Sequence, residues 1–141
     1  ELIDEGVKVV FMGDLSYFDD DIRKSLDRVI SESADGKKAI VNIGLNYGSR
    51  DEIVRAVNEC VRAGKEVDAN EFASRLYTGG LPDPDLIVRT SGEYRLSNFM
   101  LYQAAYSEMV VTDTLWPDFD EEELHSVLAV YAKRSRRFGK V

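Results

Sequence analysis

The chain has 141 residues, 44% of them hydrophobic, which predicts a globular domain with its own core and excludes a disordered chain. Its 26 acidic and 18 basic residues give a formal net charge of −8, which argues against binding nucleic acid through bulk positive charge. A single cysteine and a single histidine exclude an intramolecular disulfide and a zinc cluster, and the absence of a signal-peptide pattern or of an apolar run near ~18 residues predicts a cytoplasmic protein.

The first six residues have the pattern of a helix end. They close on Gly6, a residue suited to a helix C-cap, and an apolar segment over residues 7–12 follows directly as a predicted strand. The sequence contains neither an initiator methionine nor a helix start before this point. We therefore expect the chain to be part of a longer protein that begins upstream.

Helix signals recur along the rest of the chain. Apolar residues spaced i, i+4, i+7 and i+8 predict a helix over residues 19–33, ahead of a short strand over 39–43. Capping-box patterns predict helices that begin at Ser49, Asp68 and Asp120.

The second half of the chain contains two more predicted strands. They cover residues 85–89 and 109–112, and an apolar pattern between them predicts a helix over 96–106. The alternation of strands and helices predicts an α/β fold, with a parallel β-sheet flanked by helices, as one domain over residues 1–141.

The loops that follow the strands are the candidate binding segments, because ligands bind beyond the carboxyl ends of parallel strands. In the loop after the third strand, Arg89 and Arg95 frame a turn of small residues, and Ser97 lies where a helix N-cap is expected. Two guanidinium groups beside a helix N-terminus suit an anion, with phosphate or diphosphate favoured. The alternative is that the arginines pair with local carboxylates, Glu93 or Asp85.

The basic segment over residues 133–140 allows two interpretations. Positive charge at the C-terminal end of a helix complements the helix dipole, and the same charge is suited to an anionic ligand. A nucleic-acid patch is disfavoured, because the segment lacks interleaved aromatic residues. Trp116 is either a packing anchor or a pocket wall, and the sequence does not decide between them.

Five sequence blocks follow one another in the second half of the chain: LIVRTSGE at 86–93, RLSNF at 95–99, AYSE at 105–108, TD at 112–113 and LWPDF at 115–119. Together they resemble the C-terminal half of cis-prenyltransferases of the bacterial undecaprenyl diphosphate synthase (isoprenyl transferase) type. The order and spacing of these blocks make the resemblance specific, whereas a single block would not.

The resemblance implies a reaction and its substrates. The family condenses isopentenyl diphosphate with an allylic diphosphate of the farnesyl type, using Mg²⁺, to make the long cis-polyprenyl diphosphate that precedes the cell-wall lipid carrier. By resemblance, Arg89, Arg95 and Ser97 would hold the diphosphate of isopentenyl diphosphate. The lipid product implies peripheral contact with a membrane.

The resemblance also assigns residues outside this loop. Glu108 matches the family's magnesium-linked glutamate, and Arg137 and Gly139 match an R-x-G tail that reaches the partner's active site in a homodimer. Glu108 precedes a predicted strand, so within one subunit we expect it to lie away from the arginine loop, unless a short helix returns it or it acts near the dimer interface.

One family segment is not found in these residues. The N-terminal strand and the D-G-N-G-R-W-type loop with the essential aspartate are absent, so no catalytic residue is assigned here and we expect the chain to be inactive alone. The alternative is a non-catalytic partner subunit of a heteromeric cis-prenyltransferase. The presence of both arginines and Ser97 argues against that alternative, since a supporting subunit need not keep them.

Overall fold

The structure is a computed structural model that describes residues 1–64 and 66–134. Arg137 and Gly139, the predicted tail residues, lie outside the described residues. The chain divides into two compact units, residues 1–80 and 81–141, and the described part of each contains one parallel two-stranded sheet. The predicted α/β class is confirmed, with the strands paired in two sheets. The single domain over residues 1–141 stays a prediction.

The sheet of the first unit consists of β1 (Val7–Met12) and β2 (Ala39–Gly44), which pair in parallel over their full lengths. The helix α1 (Asp20–Glu32) connects them, as a parallel pair requires a crossover. Before β1, Gly6 has a φ of +77° and its N–H donates to the Ile3 carbonyl oxygen at 2.9 Å. Residues 2–6 form a turn and not the predicted helix end, and the part of the prediction that the structure confirms is the left-handed conformation of Gly6.

The buried face of β1 forms the centre of the first unit's core. Val7, Val9 and Met12 are buried, whereas the strand's other residues are partly exposed. Ser33, which follows α1 and is also buried, accepts a hydrogen bond at its Oγ from the Val9 N–H at 3.0 Å. The end of the helix is thereby joined to the strand through a hydroxyl group.

Two further helices complete the first unit, α2 (Ser49–Ala63) and α3 (Ala69–Ser74). Asp68 caps α3 through its side chain, as predicted, but the N-cap of α2 is Gly48, so the prediction that Ser49 caps this helix was wrong. The reason is burial: Ser49 is fully buried in the first turn and is not available as a flanking residue.

The buried face of α2 also differs from the predicted one. The helix buries Ser49 and Glu52 together with Ala56 and Cys60, while Val54, Val57 and Val61 are exposed. The spacing of apolar residues in this segment predicts by itself that these three valines lie on the inner side. The polar residues occupy the core because Glu52 makes buried hydrogen bonds there, which are described below.

The sheet of the second unit consists of β3 (Leu86–Arg89) and β4 (Glu108–Val111), again parallel and in full register. The strand β4 begins at Glu108 and ends at Val111, one residue earlier than predicted at each end. The helix α4 (Glu121–Ala132) follows and is capped by the side chain of Asp120, as predicted. Val127 is its buried residue.

The predicted helix over residues 96–106 was wrong. Only a short 3₁₀-helix, Gln103–Tyr106, forms in this segment. Ser97, Asn98 and Met100 have φ values of 49°, 64° and 47°, which a right-handed helix cannot accommodate. The apolar spacing did not identify a helix here, and Phe99, Leu101 and Tyr106 of this segment are exposed.

No helix in the described ranges combines the length and the apolar character needed to cross a membrane. The cytoplasmic location stays a prediction.

Candidate functional site

Two arginines of the second unit, Arg89 and Arg95, line one pocket, which we call the arginine pocket. It lies at the carboxyl end of β3, has a volume of about 200 Å³, and is lined by Ile87, Val88, Arg89, Arg95, Leu96 and Phe99. The predicted convergence of Arg89 and Arg95 is thus seen in the structure. The remaining lining is apolar, so the pocket combines two guanidinium groups with a hydrophobic wall.

The two arginines differ in their surroundings. Arg89 is half-buried, and its Nε is a buried nitrogen without a hydrogen-bond partner in the part of the chain that the structure describes. Arg95 is largely exposed and forms an ion pair with Glu93, the carboxylate named as the alternative partner. An exposed ion pair contributes little to stability, so an anionic ligand can displace Glu93 at small cost.

Ser97 does not have the predicted role of a helix N-cap. With a φ of 49° and no helix following it, it provides no helix N-terminus to the pocket. The positive end of a helix dipole therefore does not contribute to an anion site here. Ser97 is exposed, and the lining of the arginine pocket does not include it.

The turn between the arginines is held by the backbone of the segment that follows β4. The Ser91 N–H donates to the Thr114 carbonyl oxygen and the Gly92 N–H to the Thr112 carbonyl oxygen, both at 2.9 Å. Gly92 has a φ of +65°, and a Cβ at this position would lie 2.9 Å from Oδ1 of Asp113. The turn favours glycine at this position mainly because of its backbone conformation, since the Asp113 carboxylate is the end of a flexible side chain and can move away from a Cβ.

Glu108 lies at the opposite end of the sheet from Arg89. It pairs with Leu86, whereas Arg89 pairs with Val111, which separates the two along the strands by about 10 Å at the usual rise per residue. The expectation that Glu108 lies away from the arginine loop within one subunit is confirmed. The Glu108 carboxylate instead faces Arg134, with 3.3 Å between Oε2 and a guanidinium nitrogen.

The described residues do not fit a magnesium site by themselves. Among residues 1–64 and 66–134, no group of three or more His, Cys, Asp or Glu side chains is placed to hold a metal ion. Glu108 offers one carboxylate, and Mg²⁺ requires about six oxygen ligands in near-octahedral geometry. Magnesium dependence stays a prediction.

The first unit contains a second and larger pocket, which we call the Glu52 pocket. It has a volume of about 360 Å³ at the carboxyl ends of β1 and β2, and it is lined by Asp14, Asn46, Gly48, Asp51, Glu52, Arg55 and Tyr77. The sequence analysis located candidate binding loops after the strands but did not single out these side chains. The signal that could have found them is an acidic residue at an apolar-stripe position of α2.

Glu52 connects the elements around its pocket. Only 1% of this residue is exposed, and its carboxylate accepts hydrogen bonds from the Tyr77 N–H at 2.7 Å and from the Tyr47 hydroxyl at 2.5 Å. Arg55 uses one terminal nitrogen on Glu59 and the other on the Arg75 carbonyl oxygen. Its guanidinium group also lies 4.1 Å from the centre of the Tyr77 ring. Glu52 and the terminal nitrogens of Arg55 thus have partners on neighbouring side chains and on the backbone, whereas the Nε of Arg55 is buried without a partner among the described residues.

Asp14 is the one group of the Glu52 pocket with a clear pKa shift. Hydrogen bonds from the Ser16 hydroxyl and then from the Ser16 N–H lower the pKa of this carboxyl below its usual value, since they favour the ionised form. Asp14 is exposed, so it acts as a surface carboxylate that is ionised at neutral pH.

Comparison with known proteins gives a consistent result at the level of sequence. The sequence model of the family described as "Putative undecaprenyl diphosphate synthase" matches residues 1–139. An isoprenyl transferase from Fusobacterium nucleatum is 48% identical over 85% of this chain and 52% of its own length. One from Geobacillus kaustophilus is 43% identical over 100% of this chain and 58% of its own length. The chain thus spans about half the length of the curated relatives that it matches.

Solved structures agree with this match. A probable undecaprenyl diphosphate synthase from Campylobacter jejuni is 31% identical, with a TM-score of 0.88 over 97% of this chain and 65% of that chain. Lavandulyl diphosphate synthase from Lavandula x intermedia, solved in complex with dimethylallyl diphosphate, is 31% identical, with a TM-score of 0.90 over 95% of this chain and 61% of that chain. The chain belongs to the isoprenyl transferase family, with a fold like that of undecaprenyl diphosphate synthase.

Proposed function

We propose that this chain binds the diphosphate of isopentenyl diphosphate in the arginine pocket, as part of an isoprenyl transferase that makes a long cis-polyprenyl diphosphate. The observation that carries the proposal is that Arg89 and Arg95 line one pocket. Guanidinium groups form strong, charge-assisted hydrogen bonds with phosphate oxygens, so two arginines in one pocket suit a diphosphate.

The shape of the ligand supports the same proposal. Isopentenyl diphosphate has an anionic end and a branched five-carbon end, and the arginine pocket has guanidinium groups beside Leu96 and Phe99. Apolar side chains next to a bound diphosphate would cover the hydrocarbon portion, since burial of apolar surface is favourable. An inorganic diphosphate lacks that portion and should bind less tightly.

The retained pocket also bears on the alternative of a non-catalytic partner subunit. A subunit with a supporting role has no need for a diphosphate pocket, so the proposal favours the substrate-binding half of an enzyme. Homodimer formation, the magnesium role of Glu108 and the inactivity of the isolated chain stay predictions. So do the contributions of Ser97 and of the tail residues.

The experiment is a titration of the 141-residue chain with isopentenyl diphosphate, followed by the backbone and arginine side-chain resonances in NMR spectra. We expect millimolar or weaker binding, with shifts centred on residues 86–99. Arg95→Ala should weaken the binding by about tenfold or more, the range for a lost charged hydrogen bond. Arg28→Ala, which removes an exposed arginine of α1, is the matched control and should have no effect.

Unchanged affinity in the Arg95→Ala variant would overturn the assignment of the pocket. Incubation of the same chain with farnesyl and isopentenyl diphosphates tests its inactivity separately. Formation of prenyl chains by the purified chain would contradict that prediction and leave the pocket assignment intact.

A further inference from the structure

Thr112 makes hydrogen bonds to two different parts of the second unit. Its backbone N–H donates to the Arg89 carbonyl oxygen, and its carbonyl oxygen accepts from the Gly92 N–H, each at 2.9 Å. The backbone of Thr112 is therefore hydrogen-bonded to both Arg89 and Gly92, the residues between which the turn toward Arg95 begins. A change in its backbone position would move the beginning of that turn.

The side chain of Thr112 is fixed as firmly as its backbone. Its hydroxyl donates to Oε1 of Glu123 on the first turn of α4 and accepts from the Thr114 N–H at 3.2 Å. Glu123 is itself held, because its backbone N–H donates to the capping carboxylate of Asp120 at 2.9 Å. The threonine hydroxyl is thus tied to the beginning of a regular helix.

We propose that Thr112 and Glu123 are positioning residues of the arginine pocket, and that they transmit the position of α4 to the two guanidinium groups. This inference rests on the proposed function of the pocket as a diphosphate site. A preorganised pair of arginines loses less conformational freedom on binding, so the position of the turn affects affinity. Neither residue lines the pocket, and their effect on the ligand is therefore indirect.

The test uses the same titration with isopentenyl diphosphate and a set of matched variants. Thr112→Val keeps the shape of the side chain and removes the hydroxyl with both of its hydrogen bonds, one of them to a carboxylate. Because the effect on the ligand is indirect, we expect about fivefold weaker binding, a part of what the loss of these bonds costs the fold. Thr112→Ser keeps the hydroxyl and should bind as the parent chain does. Glu123→Ala should weaken binding like Thr112→Val, and Glu122→Ala, an exposed neighbour on the same turn, should not.

The double variant Thr112→Val with Glu123→Ala separates positioning from general destabilisation. If the two residues act as one unit, the double variant should bind no more weakly than either single variant. Two additive losses would overturn the inference, as would parent-like binding by Thr112→Val. If Thr112→Val does not fold, Glu123→Ala decides the same question, because its side chain is partly exposed.

Failure of the inference is distinguishable from failure of the proposed function. If Arg95→Ala weakens binding while the Thr112 and Glu123 variants bind normally, the pocket assignment stands and the positioning role is wrong. If Arg95→Ala binds normally, the proposed function fails, and the inference fails with it. The side-chain Nε–H resonances of Arg89 and Arg95 should shift in Thr112→Val before ligand is added, which a change in stability alone would not produce.

Discussion

In the Glu52 pocket both terminal nitrogens of Arg55 have hydrogen-bond acceptors, whereas in the arginine pocket Arg95 has an exposed ion pair with Glu93. The two pockets do not differ at Nε, since this atom is buried without a partner among the described residues in both Arg55 and Arg89. The Glu52 pocket is the larger of the two, at about 360 Å³ against about 200 Å³, so the proposed binding site is the smaller pocket. The useful distinction is whether the charged groups already have partners of their own.

The largest expected effect is on the stability of the first unit. Glu52→Ala removes a buried carboxylate and leaves the Tyr77 N–H and the Tyr47 hydroxyl without that acceptor. We expect the free energy of unfolding to fall by about 2–3 kcal/mol, the range for leaving buried polar groups unpaired. Urea unfolding followed by circular dichroism measures this. Asp51→Ala, an exposed neighbour, is the control and should change stability by less than about 0.5 kcal/mol.

The same variant tests the comparison between the pockets. Glu52→Ala should bind isopentenyl diphosphate as the parent chain does at temperatures where it is folded. Loss of diphosphate binding in the folded variant would show that the Glu52 pocket takes part in binding, and the distinction drawn above would be wrong.

An effect of intermediate size is expected when one arginine of each pocket is replaced by lysine. Arg89→Lys removes the planar guanidinium group and should weaken isopentenyl diphosphate binding by about fivefold, with little effect on stability. Arg55→Lys should lower the free energy of unfolding by about 1 kcal/mol, because the contacts with the Arg75 carbonyl and the Tyr77 ring depend on the guanidinium group. Its diphosphate affinity should not change. Similar behaviour of both variants in both assays would refute the comparison.

The smallest expected effect concerns Asp14. Ser16→Ala removes the hydroxyl that makes the largest contribution to lowering the pKa of Asp14, so this pKa should rise toward its usual value while the Ser16 N–H contact remains. The stabilisation from ionised Asp14 is present above the unfolded pKa and is lost as the pH falls through the folded pKa. In the Ser16→Ala variant the stabilisation from ionised Asp14 should be smaller, and it should be lost at a higher pH than in the parent chain. Titration of the Asp14 carboxyl carbon by NMR measures the shift, and a lower pKa in the variant would contradict the assigned cause.

The sequence was sufficient to predict the strands and the position of the arginine pocket, for physical reasons that are local. The apolar run Leu86–Arg89 and the flanking turn residues are signals within a few positions of each other. The conformation of an irregular loop, by contrast, depends on residues that are distant in the sequence. The segment 96–106 has helical apolar spacing, and yet it adopts left-handed conformations at Ser97 and Asn98, which that spacing does not indicate.

The Glu52 pocket shows the same limitation for polar residues. Its main contact joins Glu52 to Tyr77, which lies twenty-five positions further along the chain. Within α2, the local sign that Glu52 is buried is its spacing of four residues from Ala56 and eight from Cys60, and nothing in the pattern indicates that three valines of the same helix are exposed. Single-sequence reasoning assigns faces by hydrophobicity, and it fails where a buried hydrogen-bond network replaces apolar packing.

The tight approach of Gly92 to Asp113 has a consequence for the evolution and design of this loop. At Gly64 and Gly80 the φ is also positive but no atom lies within 4 Å of a Cβ, so asparagine, which tolerates this conformation, is an acceptable replacement there. At Gly92 a side chain would have the same unfavourable φ and would in addition have to displace the Asp113 carboxylate, so replacement is more costly there than at Gly64 or Gly80. Diversification of the turn between Arg89 and Arg95 therefore has to proceed through its other positions, with residue 92 held constant.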